Sequence, residues 1–266
     1  MFARTLIVCS ILMSIMMVRT TDYCRIGLCS GKIKHIGCMN FGDFDESCGE
    51  SPVMLKFTSQ MRGQVLSTLN TFRNAIALGR FNSYKPAASM ATLRWNEELA
   101  GLAKFALRRC ENLEEYCANT YDFKYVSYIY GSTNWLHHEK PLRGLLEWLL
   151  TYWINDYKNC SRNHINGNLP PKDSHCKGYF TQLVQDQAAH VGCALMRRKG
   201  PTGLLQYSLL CQFSRGKVAN EPVYLESSRA GSHCYAGVHS VYHGLCAPEE
   251  HINANLLHSE KKEKRF

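Results

Sequence analysis

Apolar residues along the chain change period several times, and each change predicts a different element. Between residues 53 and 78, Phe57, Met61, Val65, Leu69, Phe72 and Ile76 recur at steps of three and four. That spacing marks one face of a helix, which Gly79 can terminate. Asn96 can cap a second helix, with Glu97 and Glu98 well placed in its first turn. Leu99, Leu102, Ala103, Ala106 and Leu107 supply its apolar face. After Pro141, the residues Leu142, Leu145, Leu146, Leu149, Trp153 and Tyr157 predict a third helix. Later the period shortens. The stretch 191–196 is mostly apolar, and Leu205, Tyr207, Leu209, Cys211 and Phe213 alternate with Gln206, Ser208 and Gln212. A period of two with one polar side predicts a half-buried strand, and Pro201 with Gly203 marks a hairpin turn before it. Helices first and strands later predict an α+β fold in which helices cover a mostly antiparallel sheet.

The N-terminus has a different pattern. Arg4 precedes thirteen mostly apolar residues, Leu6 to Val18, closed by Arg19, Thr20 and Thr21. This is the form of a signal peptide over residues 1–20, and it is too short to cross about 30 Å of hydrocarbon as a helix. No later segment is apolar enough to span a bilayer. Export changes the meaning of the cysteines. Of thirteen, Cys9 lies in the signal region, which leaves twelve. An even number in an oxidising compartment reads as six disulfides, and no C-x2-C pair supports a zinc reading. The residues alone do not choose among the many pairings.

Composition adds exclusions. The formal charge of +9 falls to +7 once Arg4 and Arg19 are removed. The basic clusters Arg108-Arg109 and Arg197-Arg198-Lys199 are short and lack interleaved aromatics, which excludes a nucleic-acid partner. The tail around Lys261, Lys262, Lys264 and Arg265 reads as a solvated end. The predicted organisation is a signal peptide (1–20), a cysteine-containing extension (21–52), one domain (53–220) and a C-terminal extension (221–266), in a chain that acts as a monomer. No His-Glu-x-x-His, Gly-x-Ser-x-Gly or phosphate-binding glycine loop is present. His137-His138 and His239-x3-His243 have metal-pair spacing without a third ligand and read as surface histidines. Asn159-Cys160-Ser161 is the one glycosylation sequon.

Together these stretches resemble a known family. Asp22-Tyr23-Cys24, His35-Ile36-Gly37-Cys38, Leu69-Asn70-Thr71-Phe72-Arg73, Leu93-Arg94-Trp95 and Gly178-Tyr179-Phe180-Thr181-Gln182 stand in order. Val191-Gly192-Cys193-Ala194, Cys211-Gln212-Phe213-Ser214-Arg215-Gly216 and Gly244-Leu245-Cys246 follow. The ordered set is similar to the CAP superfamily of cysteine-rich secretory, antigen 5 and pathogenesis-related proteins, above all to insect antigen 5-like proteins. The resemblance implies a three-layer α–β–α sandwich. It implies the pairs Cys24–Cys38, Cys29–Cys117, Cys48–Cys110 and Cys193–Cys211. Elimination and proximity then suggest Cys160–Cys176 and Cys234–Cys246.

It also implies a cleft where two histidines and two acids can hold a divalent ion. This chain departs from that pattern. The family's histidines correspond to Glu114 and Tyr179, its Gly-Glu/Gln-Asn motif to Ser127-Tyr128-Ile129, and its second acid to Asp156. A phenol with a pKa near 10 does not replace an imidazole near 6.5 as a proton shuttle or a zinc ligand. The expectation is therefore a degenerate ligand cleft of Glu114, Tyr128, Asp156 and Tyr179, with no metal, no cofactor and no catalytic residue. The leading reading is a secreted non-enzymatic protein that binds an extracellular protein or a small apolar molecule. The alternatives are a hydrolase with an active site foreign to the family, and a venom or salivary effector.

Overall fold

In the computed structural model, residues 21–31, 33–81, 83–110, 116–135, 141–167, 175–200 and 202–263 are described. The signal region, Glu114 and His137-His138 lie outside them. The first long apolar stretch divides in two. Val53–Leu55 forms strand β1, antiparallel to a later strand, and helix α1 occupies Ser59–Ala77. Thr58 starts α1 by accepting a hydrogen bond from the Met61 amide. Gly79 ends it in a left-handed conformation (φ 67°), and a Cβ there would lie 2.9 Å from the Pro86 ring. Arg94–Trp95 is the short strand β2, and Glu97–Leu107 is α2, capped as its sequence predicts by the Asn96 side chain.

Three elements follow that periodicity alone does not announce or bounds differently. These are β3 (Ser127–Trp135), α3 (Leu142–Asn155) and the single-turn α4 (Arg162–Ile165). Then come α5 (Tyr179–Leu183), the β4–β5 hairpin (His190–Lys199 and Leu205–Phe213) and α6 (His258–Glu263). The sheet runs β1-β4-β5-β3, and its ladders are antiparallel except that β2 lies parallel to β4.

Alternation along the strands assigns the layers. Val191, Cys193, Leu195, Leu209, Cys211 and Ile129 share one core with α1, α3 and α5. Ala194, Met196 and Leu210 face the other way, against Leu102, Ala103 and Ala106 of α2. The fold is a three-layer α–β–α sandwich. It corrects the picture of β5 as half-buried, because Ser208 and Gln212 on its polar side are buried beneath the α2 layer. Close approach has a visible cause: a Cβ on Gly192 would sit 2.2 Å from the Ala100 nitrogen of α2.

Six disulfides staple this frame: Cys24–Cys38, Cys29–Cys117, Cys48–Cys110, Cys160–Cys176, Cys193–Cys211 and Cys234–Cys246. Two of them, with separations of 88 and 62 residues, tie the N-terminal segment to the region around α2. The C-terminal stretch contributes Val223, Tyr224 and Leu245 to the main core. It ends with His258 3.1 Å from Asp186, both buried.

Within the N-terminal segment, the rings of Tyr23 and His35 stack 4.7 Å apart. His35 Nδ1 accepts from the Gly37 amide, so Nε2 carries the proton that faces the Asn119 carbonyl 2.7 Å away. This is the neutral imidazole. Burial pushes its pKa below the ordinary value, against the Asn119 carbonyl. Burial, then Arg94, does the same to His190.

Both histidines bind protons more readily in the unfolded chain, so their contribution to stability is complete above about pH 6.5 and is lost as the pH falls through the lower folded values. Thermal unfolding of the oxidised protein should therefore show a midpoint that drops between about pH 7 and pH 5, with a shallower drop in His35→Gln. Arg73, wholly buried on α1, donates to four backbone carbonyls, those of Ala91, Leu183, Gln185 and Ala188. Arg73→Met should cost about 3 kcal/mol or more in denaturant titration, since those acceptors lose their donor.

Candidate functional site

Asp156 closes α3 and opens a 3-10 turn, Asp156–Asn159, that leads to the Cys160–Cys176 bridge. Its carboxylate is buried and committed. Oδ1 accepts from the Lys177 amide at 3.0 Å, and Oδ2 accepts from the Phe180 amide at 3.1 Å. A carboxylate on the first amides of a helix answers donors that the helix itself leaves unpaired. Gly178 enters α5 in a left-handed conformation (φ 87°), so the chain can turn directly over the acid. Asp156 therefore works as the clamp on the start of α5.

Tyr179, the first residue of α5, is half-buried, and its ring lies 5.9 Å from that of Tyr152. Burial raises its pKa, Tyr152 adds to that, and Lys177 opposes it. The phenol is thus a neutral group at physiological pH. Lys177 Nζ donates to Tyr152 Oη at 2.7 Å and stands 5.2 Å from the Tyr152 ring centre. That hydrogen bond, above all, raises the pKa of the amine. Beside it, Trp148 and Tyr152 lie almost parallel (9°) with centres 5.9 Å apart. They remain 47% and 41% exposed. The result is an aromatic ledge with one cation, outside a sealed carboxylate.

Tyr128 does not join this group. It leaves β3 from the α2 face, opposite to Ile129, and stacks on Tyr116 at 4.8 Å. Gln212 Nε2 in turn donates to the Tyr116 hydroxyl at 3.2 Å. Glu114 is not among the described residues. The described contacts thus gather Asp156 and Tyr179, while Tyr128 belongs to the other layer. Asn159 is exposed at the end of the 3-10 turn. His239 Nδ1 accepts from the amides of Val241 and Tyr242, which makes it part of a turn.

Two tight groups of metal-type donors exist among the described residues: Cys29, His35 and Cys117, and Asp156, Cys160 and Cys176. In each, both sulfurs belong to one disulfide and offer no thiolate. What remains is one neutral imidazole and one carboxylate already bound to backbone amides. Neither fits a divalent ion, which needs several free ligands at once.

Sequence reasoning missed the ledge. Trp148 and Tyr152 are four apart and lie off the Leu145, Leu149, Trp153 stripe of α3, a signal that was legible. Lys177 carries no such signal, because the bend at Gly178 places it.

The model of the CAP family, described as the cysteine-rich secretory protein family, matches residues 66–213. The chain belongs to this family. Venom allergen-1 of Aedes aegypti is 30% identical over 233 residues, covering 88% of this chain and 90% of the relative. Tabinhibitin 3 of Tabanus yao is 30% identical over 239 residues, with 88% and 90% covered. The crystal structure of NaASP2 with Zn2+ matches in fold, with a TM-score of 0.59 at 17% identity, over 71% of this chain and 96% of that one. The chain is a secreted CAP protein of the antigen 5 and venom-allergen type, in a family that is generally non-catalytic.

If Asp156 is a clamp, its loss should be felt as instability. Asp156→Ala should lower stability by about 1–3 kcal/mol in denaturant titration, and Asp156→Asn, which keeps one acceptor oxygen, by less.

Proposed function

We propose that this CAP protein is a non-enzymatic extracellular binding factor that engages a protein partner through the Trp148, Tyr152, Tyr179 and Lys177 ledge. The observation that carries the reading is the fate of Asp156. Each of its two oxygens holds a backbone amide at the start of α5, so the acid at the family's cleft position is tied into the structure of the chain. The exposed rings beside it offer the kind of surface that protein interfaces favour: large, rigid aromatic area with a polar handle. Lys177, at the rim, favours a partner with an acidic group. The remaining positions of the degenerate cleft, Glu114 and Tyr128, enter the proposal as sequence correspondences only. Asn159, exposed next to Cys160, is proposed as the N-glycan acceptor. The names of the relatives, venom allergen-1 and tabinhibitin 3, favour a second form of the same reading, in which the bound protein belongs to another organism and the chain is a delivered effector.

Zinc titration and partner capture test the reading together. Calorimetric titration of the oxidised protein should show no stoichiometric zinc binding. Capture from the fluid into which the protein is secreted should lose its specific partner when Trp148→Ala and Tyr152→Ala are combined, with binding weakened roughly tenfold or more. Tight zinc uptake that disappears in Asp156→Asn would overturn the account of the acid, and a partner indifferent to the double variant would overturn the role of the ledge.

A further inference from the structure

The N-terminal segment forms a second recess, separate from α3. Ile33, Ile36, Met39 and Phe41 give it apolar walls, Lys34 and Arg109 add cations, and the cavity measures about 680 Å3. That volume is in the range of sites that take small organic ligands.

Three properties narrow the ligand class. The walls are fixed before any ligand arrives. Cys24–Cys38 closes one end of the segment, Cys48–Cys110 ties the other to α2, and the Ile36 amide donates to the Cys117 carbonyl at 2.8 Å. The bend itself is pinned, since Asn40 donates to the Ile36 carbonyl and accepts from the Gly42 amide, both at 3.0 Å. Met39 sits between them in a left-handed conformation (φ 53°) that a residue with a side chain seldom adopts. On this braced loop Met39 is 76% and Phe41 90% exposed. Two large apolar groups held in water are a standing cost that a ligand could remove.

The charges give the sign. No ion pair joins Lys34 or Arg109 to another described residue. Asp43 is the one acid in the wall, and the His35 ring is neutral, because its Nδ1 accepts from the Gly37 amide. A cation would meet two positive groups, and a purely apolar molecule would leave both unanswered.

We propose that this recess is a binding site for a small amphipathic organic anion, a carboxylate or sulfonate on an apolar body. The apolar body lies against Met39 and Phe41, and the anionic group pairs with Lys34 and Arg109. The site goes beyond the ledge reading and is independent of it.

The probe is 8-anilinonaphthalene-1-sulfonate, followed by fluorescence on the full oxidised protein at neutral pH and low salt. Saturable binding with one site per chain is expected. The double variant Lys34→Gln and Arg109→Gln should weaken it roughly tenfold or more, as should Phe41→Ser, while Trp148→Ala leaves it unchanged. All of these are surface positions, and circular dichroism confirms that each variant is folded. The uncharged analogue N-phenyl-1-naphthylamine should be insensitive to the lysine and arginine changes. Absence of saturable binding, or binding indifferent to the N-terminal variants, overturns the proposal. Loss of binding in Trp148→Ala alone also overturns it, and would place the probe on the ledge instead.

Discussion

Arg73 has no access to solvent, yet it carries a guanidinium whose five hydrogen bonds end on backbone carbonyls of Ala91, Leu183, Gln185 and Ala188. Those carbonyls belong to the strand entry before β2, to the last residue of α5 and to the bend between α5 and β4. A single side chain of α1 therefore fixes two of the connections that feed the sheet, those into β2 and β4. Burial pulls its pKa down to about 9, and Asp186 works against that. The group stays charged at neutral pH and keeps all its donors. Burying an ion is costly, and removing one partner of such a network costs more than a typical contact, so its value is in selecting one arrangement of loops. Asp186 extends the chain of dependence. It also faces His258, whose amide donates to Glu221 at 2.5 Å, and it accepts from the Leu225 amide. The C-terminal helix is thereby docked on the same polar spine.

The site inherits its shape from this constraint. The far end of α5 is held through the Leu183 carbonyl by Arg73, and its near end is held through the Phe180 amide by Asp156. A five-residue helix has little stability of its own, so both clamps matter. With α5 fixed, Tyr179 has one place to go, over the Asp156 turn and toward Tyr152. Asp156 is used in building the helix that begins at Tyr179. The Tyr179 phenol and the committed Asp156 carboxylate are therefore two parts of one local arrangement. The exposed Trp148 and Tyr152 are what remains accessible there.

Where the sequence was legible, one residue type had one physical task. Asn96 caps α2, the α1 stripe is buried from Met61 to Ile76, and Gly203 lies in the turn of the β4–β5 hairpin. β3 was not legible. Its Tyr128 and Tyr130 alternate with Ile129 and Gly131, so both sides look apolar, and Gly131 weakens any strand signal. Its reason is steric: a Cβ on Gly131 would stand 2.8 Å from Trp153 Nε1 of α3. Ser208 and Gln212 misled in the opposite sense, because polarity alone cannot reveal that a second layer covers their face. The same limit hid the burial of Arg73 and Asp186. At the site, the correspondence of Asp156 and Tyr179 came from the family resemblance, whereas the separation of Tyr128 depends on strand parity that only a located β3 supplies.

The N-terminal segment poses the remaining question, because it has few means of holding itself. It contributes Ile36 and Cys48 to the α2-side core, and Tyr23 donates to Glu98 of α2 at 3.0 Å. Cross-links with separations of 62 and 88 residues restrict the unfolded chain by about 4 kcal/mol each in the loop-entropy picture. That stabilisation permits a segment with a small core to keep a defined surface. A segment needed only as a cover could have used polar residues at positions 39 and 41, where nothing in the fold requires a large apolar side chain. Their presence on a braced bend, next to two cations and the single acid Asp43, is the condition under which a rigid recess acquires a ligand preference. Rigidity supplied elsewhere in the chain leaves the ligand little ordering cost to meet.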